Sequence, residues 1–315
     1  MGAIMMVGCA SWRGPRRAFL LGLAAMGALG VTLDQWRRWL ARRAFSLPSP
    51  DASRWALVTG ASSGIGRAYA VALAALGYHV ILVARRWERL EAVAAQISEA
   101  YPVDTVTLCA DLTTPEGIEA VEEIIRATDG LSFLVNNAGF GLSGPFATVD
   151  FERVLDMVQL HIVATMRLTR AALPGMLARH HGAIVNVSSL VTHYPLPGQA
   201  TYVATKCYLR AFTEALHQEL LGTGVRAQAL CPGLVRTEFQ ASAGIQRRLP
   251  SFLWLSPEFV VQRSLRHLAE DRVLSVPGIG YRMLAGLAGV MPRSLLYLIG
   301  NRFGMSKGCD GSPMR

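Results

Sequence analysis

Residues 54–77 read RWALVTGASSGIGRAYAVALAALG, and this one stretch restricts the fold more than anything else in the chain. Arg54 to Thr59 has the apolar, β-branched character of a buried strand. A glycine-rich turn follows, and then an apolar helix. Gly60, Gly64 and Gly66 stand in G-x-x-x-G-x-G spacing. Gly60 allows a tight turn, Gly64 lets backbone approach a ligand, and Gly66 lets the helix pack closely. Ser62, Ser63 and Ile65 complete the cradle, where unpaired N–H groups at the helix start face an anion such as a pyrophosphate. Three glycines alone say little; between a strand and a helix they read as a dinucleotide turn.

The pattern continues as apolar runs at 78–86, 104–111, 131–139, 182–189, 225–233 and, more briefly, 273–278, with helical patterns between them. Near-continuous apolar strands alternating with helices imply an α/β fold with a parallel sheet covered on both faces. In such sheets ligands bind outside the strands' C-terminal ends. Asp111, Asn136-Asn137, Ser188-Ser189 and Pro232-Gly233 all fall at those ends.

The second run, YHVILVARR, ends without the acid that would accept hydrogen bonds from an adenosine ribose. Arg85 and Arg86 stand there instead. Cations at a helix start oppose its dipole, so a 2′-phosphate gives them a purpose. NADP(H) is therefore expected over NAD(H). Further on, Tyr202 and Lys206 lie about one helical turn apart and share a face. Lys206 and Lys307 are the chain's only lysines among 31 Lys plus Arg. An ammonium changes protonation when buried and a guanidinium does not, so an amine is wanted at 206.

The formal net charge is +9. Seven Arg and Asp34 put most of that excess in the first fifty residues, which argues against a nucleic-acid surface on the rest. The five cysteines are scattered without paired spacing, which suits a reducing compartment and supplies no metal site. His180-His181 falls near a helix end and is read as a C-terminal cap.

Residues 1–53 form a basic, apolar extension and linker. The uncharged run from Ala18 to Leu33 would span about 24 Å as a helix, against roughly 30 Å of bilayer hydrocarbon. Trp36 and Trp39 flank it at an interface position. Three readings stay open: a membrane anchor or interfacial helix over residues 1–45, a twin-arginine export signal, and a plain extension or overlong start. The expected location is cytoplasmic, with membrane association if the segment anchors.

TGASSGIG (59–66), ADL (110–112), NNAG (136–139), SS (188–189), YVATK (202–206) and PGLVRT (232–237) occur in that order. Together they resemble the short-chain dehydrogenase/reductase family across residues 54–278. The resemblance implies a single Rossmann-type, doubly wound sheet of about seven strands. It also implies hydride transfer between NAD(P)(H) and a carbonyl or alcohol. By resemblance Tyr202 is the acid/base, Lys206 lowers its pKa and holds the nicotinamide ribose, and Ser189 bonds the substrate oxygen. Asp111 and Leu112 would flank the adenine. Asn137, Ala138 and Gly139 would line the cofactor, and Pro232, Gly233, Val235 and Thr237 would hold its nicotinamide end. A second copy of the chain is an expected partner.

The pattern is broken at one position. Register set by LTRAALPGM puts His161 where the family has a fourth catalytic residue, an Asn. His161 is then either part of an altered proton relay, in which case His161→Asn shifts the pH profile of activity, or a core histidine with no proton role.

Residues 234–256 read as a greasy substrate lid, followed by a helix capped by Ser256 with Pro257 at its first position. Residues 279–315 are an apolar tail that either packs on the domain or a dimer mate, or meets a membrane or lipophilic substrate. The substrate is thus expected to be hydrophobic. Two non-enzymatic readings compete: an NADP(H)-sensing or scaffold protein on the same fold, and a membrane-associated structural protein with a vestigial site.

Overall fold

A computed structural model of the chain describes residues 54–239 and 250–304. The N-terminal extension, the middle of the lid and the last eleven residues of the tail lie outside the described residues.

Seven strands form one parallel sheet in the order β3-β2-β1-β4-β5-β6-β7. They are β1 (Trp55–Thr59), β2 (His79–Ala84), β3 (Thr105–Cys109), β4 (Leu131–Asn136), β5 (Gly182–Val187), β6 (Val225–Leu230) and β7 (Leu274–Ser275). This is the parallel α/β sheet the alternation implied, in the Rossmann-type form the resemblance implied. Central strands β4 and β5 are buried at every residue, whereas edge strand β3 is half-exposed.

Side chains alternate between two cores, as period-2 geometry demands. Ala56, Val58, Val80 and Leu82 face one core with helices α1 (Gly64–Ala75), α2 (Trp87–Ala100) and, later in the chain, a helix at Pro257–Ala269. Leu57, Ile81, Val83 and Leu134 face the other. There they meet α3 (Pro115–Ala127) and the long helical stretch after β4. That stretch runs as α4 (Phe151–Val158), a π turn over Gln159–Ala164, and α5 (Thr165–Ala178). It ends in a left-handed turn at His180, whose N–H bonds the Leu177 carbonyl while that of His181 bonds Met176. The pair is therefore a helix cap, as read.

Helix α6 (Ala200–Glu219) is fixed to the sheet by a buried polar chain. Asn136 Nδ2 donates to Thr169 Oγ1 at 3.1 Å and to Asn186 Oδ1 at 2.8 Å, and Asn186 Nδ2 donates to Thr213 Oγ1 at 2.9 Å. Such buried polar networks fix one register between elements, although Asn136 Oδ1 is itself buried without a hydrogen-bond partner. Helix α7 (Pro257–Ala269) starts on Ser256, whose hydroxyl accepts the Phe259 N–H. Two further helices, α8 (Ile279–Val290) and α9 (Arg293–Gly304), close the chain.

Candidate active site

The C-terminal ends of β1, β2, β4, β5 and β6 open onto one cavity of about 1010 Å³, at the upper end of what small-molecule sites usually occupy. Gly60, Ser62, Ser63, Gly64, Ile65, Arg85, Arg86, Asp111, Leu112, Asn137, Ala138 and Gly139 line it, as do Ser189, Tyr202, Lys206, Pro232, Gly233, Val235 and Thr237. Gly66 and His161 stand behind its wall.

The turn after β1 has the geometry a dinucleotide needs. Gly60 and Gly64 adopt φ of +66° and +55°, and Gly64 faces the Thr237 side chain closely. A Cβ on Gly66 would run into the Gly60 carbonyl and the Asn137 amide. Helix α1 has no side-chain cap at Ser63, so its first N–H groups stay available to an anion. Asn137 braces this turn. Its N–H donates to Thr59 Oγ1 and its Nδ2 to the Thr59 carbonyl, each at 2.9 Å. The residues present therefore fit a nicotinamide dinucleotide.

Arg86 lies across the cradle, donating to Ser63 Oγ at 2.9 Å, Ser62 Oγ at 3.1 Å and Glu238 at 2.8 Å. Arg89, one turn into α2, also pairs with Glu238. Arg85 turns toward Asp111, 3.4 Å away. Asp111 spends its other oxygen on the Thr113 N–H and hydroxyl.

At the other end, Ser189, Tyr202 and Lys206 are buried on adjoining elements. Ser188 does not face the reacting group; its hydroxyl donates to the Lys206 carbonyl at 2.8 Å and pins α6 to the end of β5. Burial pushes the Tyr202 phenol up to about 12, and a hydrogen bond with Ser189 pulls against that. Burial pushes the Lys206 amine down to about 7. Lys206 Nζ donates to the Val187 carbonyl at 2.9 Å and lies 5.8 Å from the Tyr202 ring centre. Ser189, rather than Lys206, is the group that opposes the upward push of burial on the phenol.

His161 sits on the π turn, which swings its ring beneath the site. The Phe140 N–H donates to Nε2 at 3.3 Å, so the ring proton belongs on Nδ1, 2.9 Å from Thr205 Oγ1. Thr205 passes its own proton to the Tyr202 carbonyl at 2.9 Å. Burial first, and the Lys206 charge second, hold His161 well below the usual imidazole range. Gly139 makes room for the ring: a Cβ there would stand 2.8 Å from Nε2. With both nitrogens engaged and the ring neutral, His161 ties the loop after β4 to α6.

Several residues at or beside the cavity escaped the sequence reading. Arg89 and Glu238 are far apart in sequence, and no local pattern joins them. Tyr281, Leu284, Leu287 and Met291 of the tail form a helical stripe into the cavity, and their i, i+3 spacing was a usable signal. The two ends of the lid are zipped together, the Arg236 N–H to the Leu255 carbonyl and the Leu255 N–H to Leu234, each at 2.9 Å.

A family model described as short chain dehydrogenase matches residues 54–248. The chain belongs to the short-chain dehydrogenase/reductase family, an oxidoreductase family. It is 36% identical over 248 residues to a very-long-chain 3-oxoacyl-CoA reductase of Anas platyrhynchos, covering 77% of each chain. It is 38% identical over 207 residues to the inactive hydroxysteroid dehydrogenase-like protein 1 of Rattus norvegicus, covering 65% of this chain and 62% of that one. Among solved structures, a short-chain dehydrogenase from Sphingobium yanoikuyae in complex with NADPH superposes with a TM-score of 0.69 at 32% identity. That match covers 83% of this chain and 98% of the other.

Proposed function

We propose that the protein is an NADP(H)-dependent oxidoreductase acting on the carbonyl or alcohol group of a hydrophobic substrate. One observation carries this reading: Ser189, Tyr202 and Lys206 meet at one end of the cavity whose other end is the glycine cradle. NADP(H), bound there, supplies or accepts a hydride at nicotinamide C4. The rest falls to the chain's own residues. Tyr202, with its phenol held near 12, is protonated at neutral pH and can give that proton to the oxygen of a carbonyl being reduced. Ser189 orients that oxygen. Lys206, whose amine is held near 7, takes up a proton as negative charge develops on the phenol, and the resulting ammonium offsets that charge. The preference for a 2′-phosphate rests on Arg86, which already reaches across Ser62 and Ser63, with Arg89 beside it. The apolar stripe of α8 and Phe239 supports a hydrophobic substrate, and the 3-oxoacyl-CoA relative points the same way.

The inactive relative favours a second reading, in which the chain binds NADP(H) without turnover. A panel of apolar ketones and 3-oxoacyl thioesters, run on the full chain with NADPH and then NADH, separates the two. An active enzyme should oxidise NADPH with apolar ketones and turn over more slowly with NADH. Tight NADPH binding without turnover on any carbonyl gives the case to the second reading.

A further inference from the structure

Helix α8 is apolar on two sides at once. Toward the protein, Tyr281, Leu284, Leu287 and Met291 line the cavity. Away from it, Ile279, Met283 and Val290 stand in solvent, with Met283 71% and Val290 81% exposed. Leu284 and Leu287 belong to both sets, being cavity-lining and about half exposed. They are the cavity's lip, and apolar surface runs unbroken over it from outside to inside. Helix α9 extends the outer surface with exposed Leu295, Tyr297 and Leu298.

The lip is rigidly placed. The Tyr194 hydroxyl donates to the Leu284 carbonyl at 2.7 Å. The Tyr281 hydroxyl accepts the Leu234 N–H and donates to the Leu253 carbonyl. That second bond sets Phe252, 80% exposed, beside the start of α8. Along this stretch the charge has one sign. From residue 273 to 304 the sequence carries Arg282, Arg293 and Arg302 and no Asp or Glu.

We propose that α8 and α9 dock on an anionic lipid surface, and that apolar substrate passes from it over the Leu284–Leu287 lip into the cavity. Arginines flanking an acid-free apolar stripe complement anionic headgroups. A second copy of the chain seated there would instead seal the lip. Among the described residues no helix is long and apolar enough to cross a membrane, and α8 spans only about 18 Å, so the contact is interfacial. The site differs from the N-terminal segment and needs no contribution from it. Only the kinetic arm of the test rests on the oxidoreductase reading.

The test uses the full chain and vesicles of phosphatidylcholine, with and without phosphatidylglycerol. In Met283→Trp, bromine-labelled lipid should quench the added tryptophan emission beyond the wild-type background. Arg282→Gln with Arg293→Gln should weaken binding to the anionic vesicles roughly twenty-five-fold, about fivefold per arginine. Met283→Asp with Val290→Asp should lower turnover of a long-chain ketone dissolved in vesicles and leave turnover of a short water-soluble ketone unchanged. Both positions are exposed, so folding is spared. No added quenching at position 283 overturns the proposal, whatever residues 1–53 do. So does a dimer that Met283→Asp with Val290→Asp breaks apart, since a second copy would then cover the face.

Discussion

Lys206 is a buried amine whose cost to the fold can be read from stability alone. Burial lowers it from 10.5 to about 7. Between those values the unfolded chain holds a proton on Lys206 that the folded chain does not. Stability therefore rises with pH across that window. The penalty is fully present below about pH 7 and gone above the unfolded value. At about 1.4 kcal/mol per pH unit it is on the order of 5 kcal/mol in total, and about 2 kcal/mol of it disappears between pH 7 and 9. Lys206→Met has similar length and no proton. It forfeits the bond from Nζ to the Val187 carbonyl, a loss of about 1 kcal/mol that varies little with pH. Urea unfolding of both proteins from pH 7 to 9 should show wild type gaining about 2 kcal/mol on the variant. Parallel profiles would refute the claim that the amine is desolvated.

Three other perturbations follow from the site. Arg86→Ala removes a charge-assisted contact worth about 1.5–3 kcal/mol, so fluorescence titration should find NADPH bound roughly ten- to a hundredfold more weakly and NADH unchanged. Gly66→Ala forces a methyl against the Gly60 carbonyl and should cost about 1–3 kcal/mol in thermal unfolding, with NADPH affinity falling alongside. His161→Asn should keep turnover within a few-fold with an unmoved pH profile, while His161→Leu, which orphans the Phe140 N–H and Thr205, should lose most of it. A shifted profile in the Asn variant would return a titrating role to His161.

The sheet was legible because its inner strands are buried on both faces and so written largely in apolar residues. The cradle was legible because its glycines are forced by backbone: Gly60 and Gly64 by positive φ, Gly66 by contact with Gly60 itself. Ser189, Tyr202 and Lys206 were legible through motif order. What long-range packing decides was not. The Arg86–Glu238–Arg89 cluster joins segments about 150 residues apart, and nothing local announces it. The π turn that carries His161 has an ordinary helical sequence. Residues 279–304 read as a tail because their apolar pattern is continuous; only the tertiary fold divides it into a cavity wall and an outer face. Asn136 shows the reverse error, a polar residue at a strand end that turns into the core to hold α5 and the strand β5.

The central claim is that Tyr202 exchanges the proton while the cradle holds NADP(H). Tyr202→Phe keeps the buried ring and removes only the hydroxyl. Single-turnover kinetics with prebound NADPH and a reactive apolar ketone test it directly. Hydride transfer should slow roughly 10²–10⁴-fold, the range of general acid catalysis, with the NADPH dissociation constant essentially unchanged. Hydride transfer at the wild-type rate in that variant would contradict it.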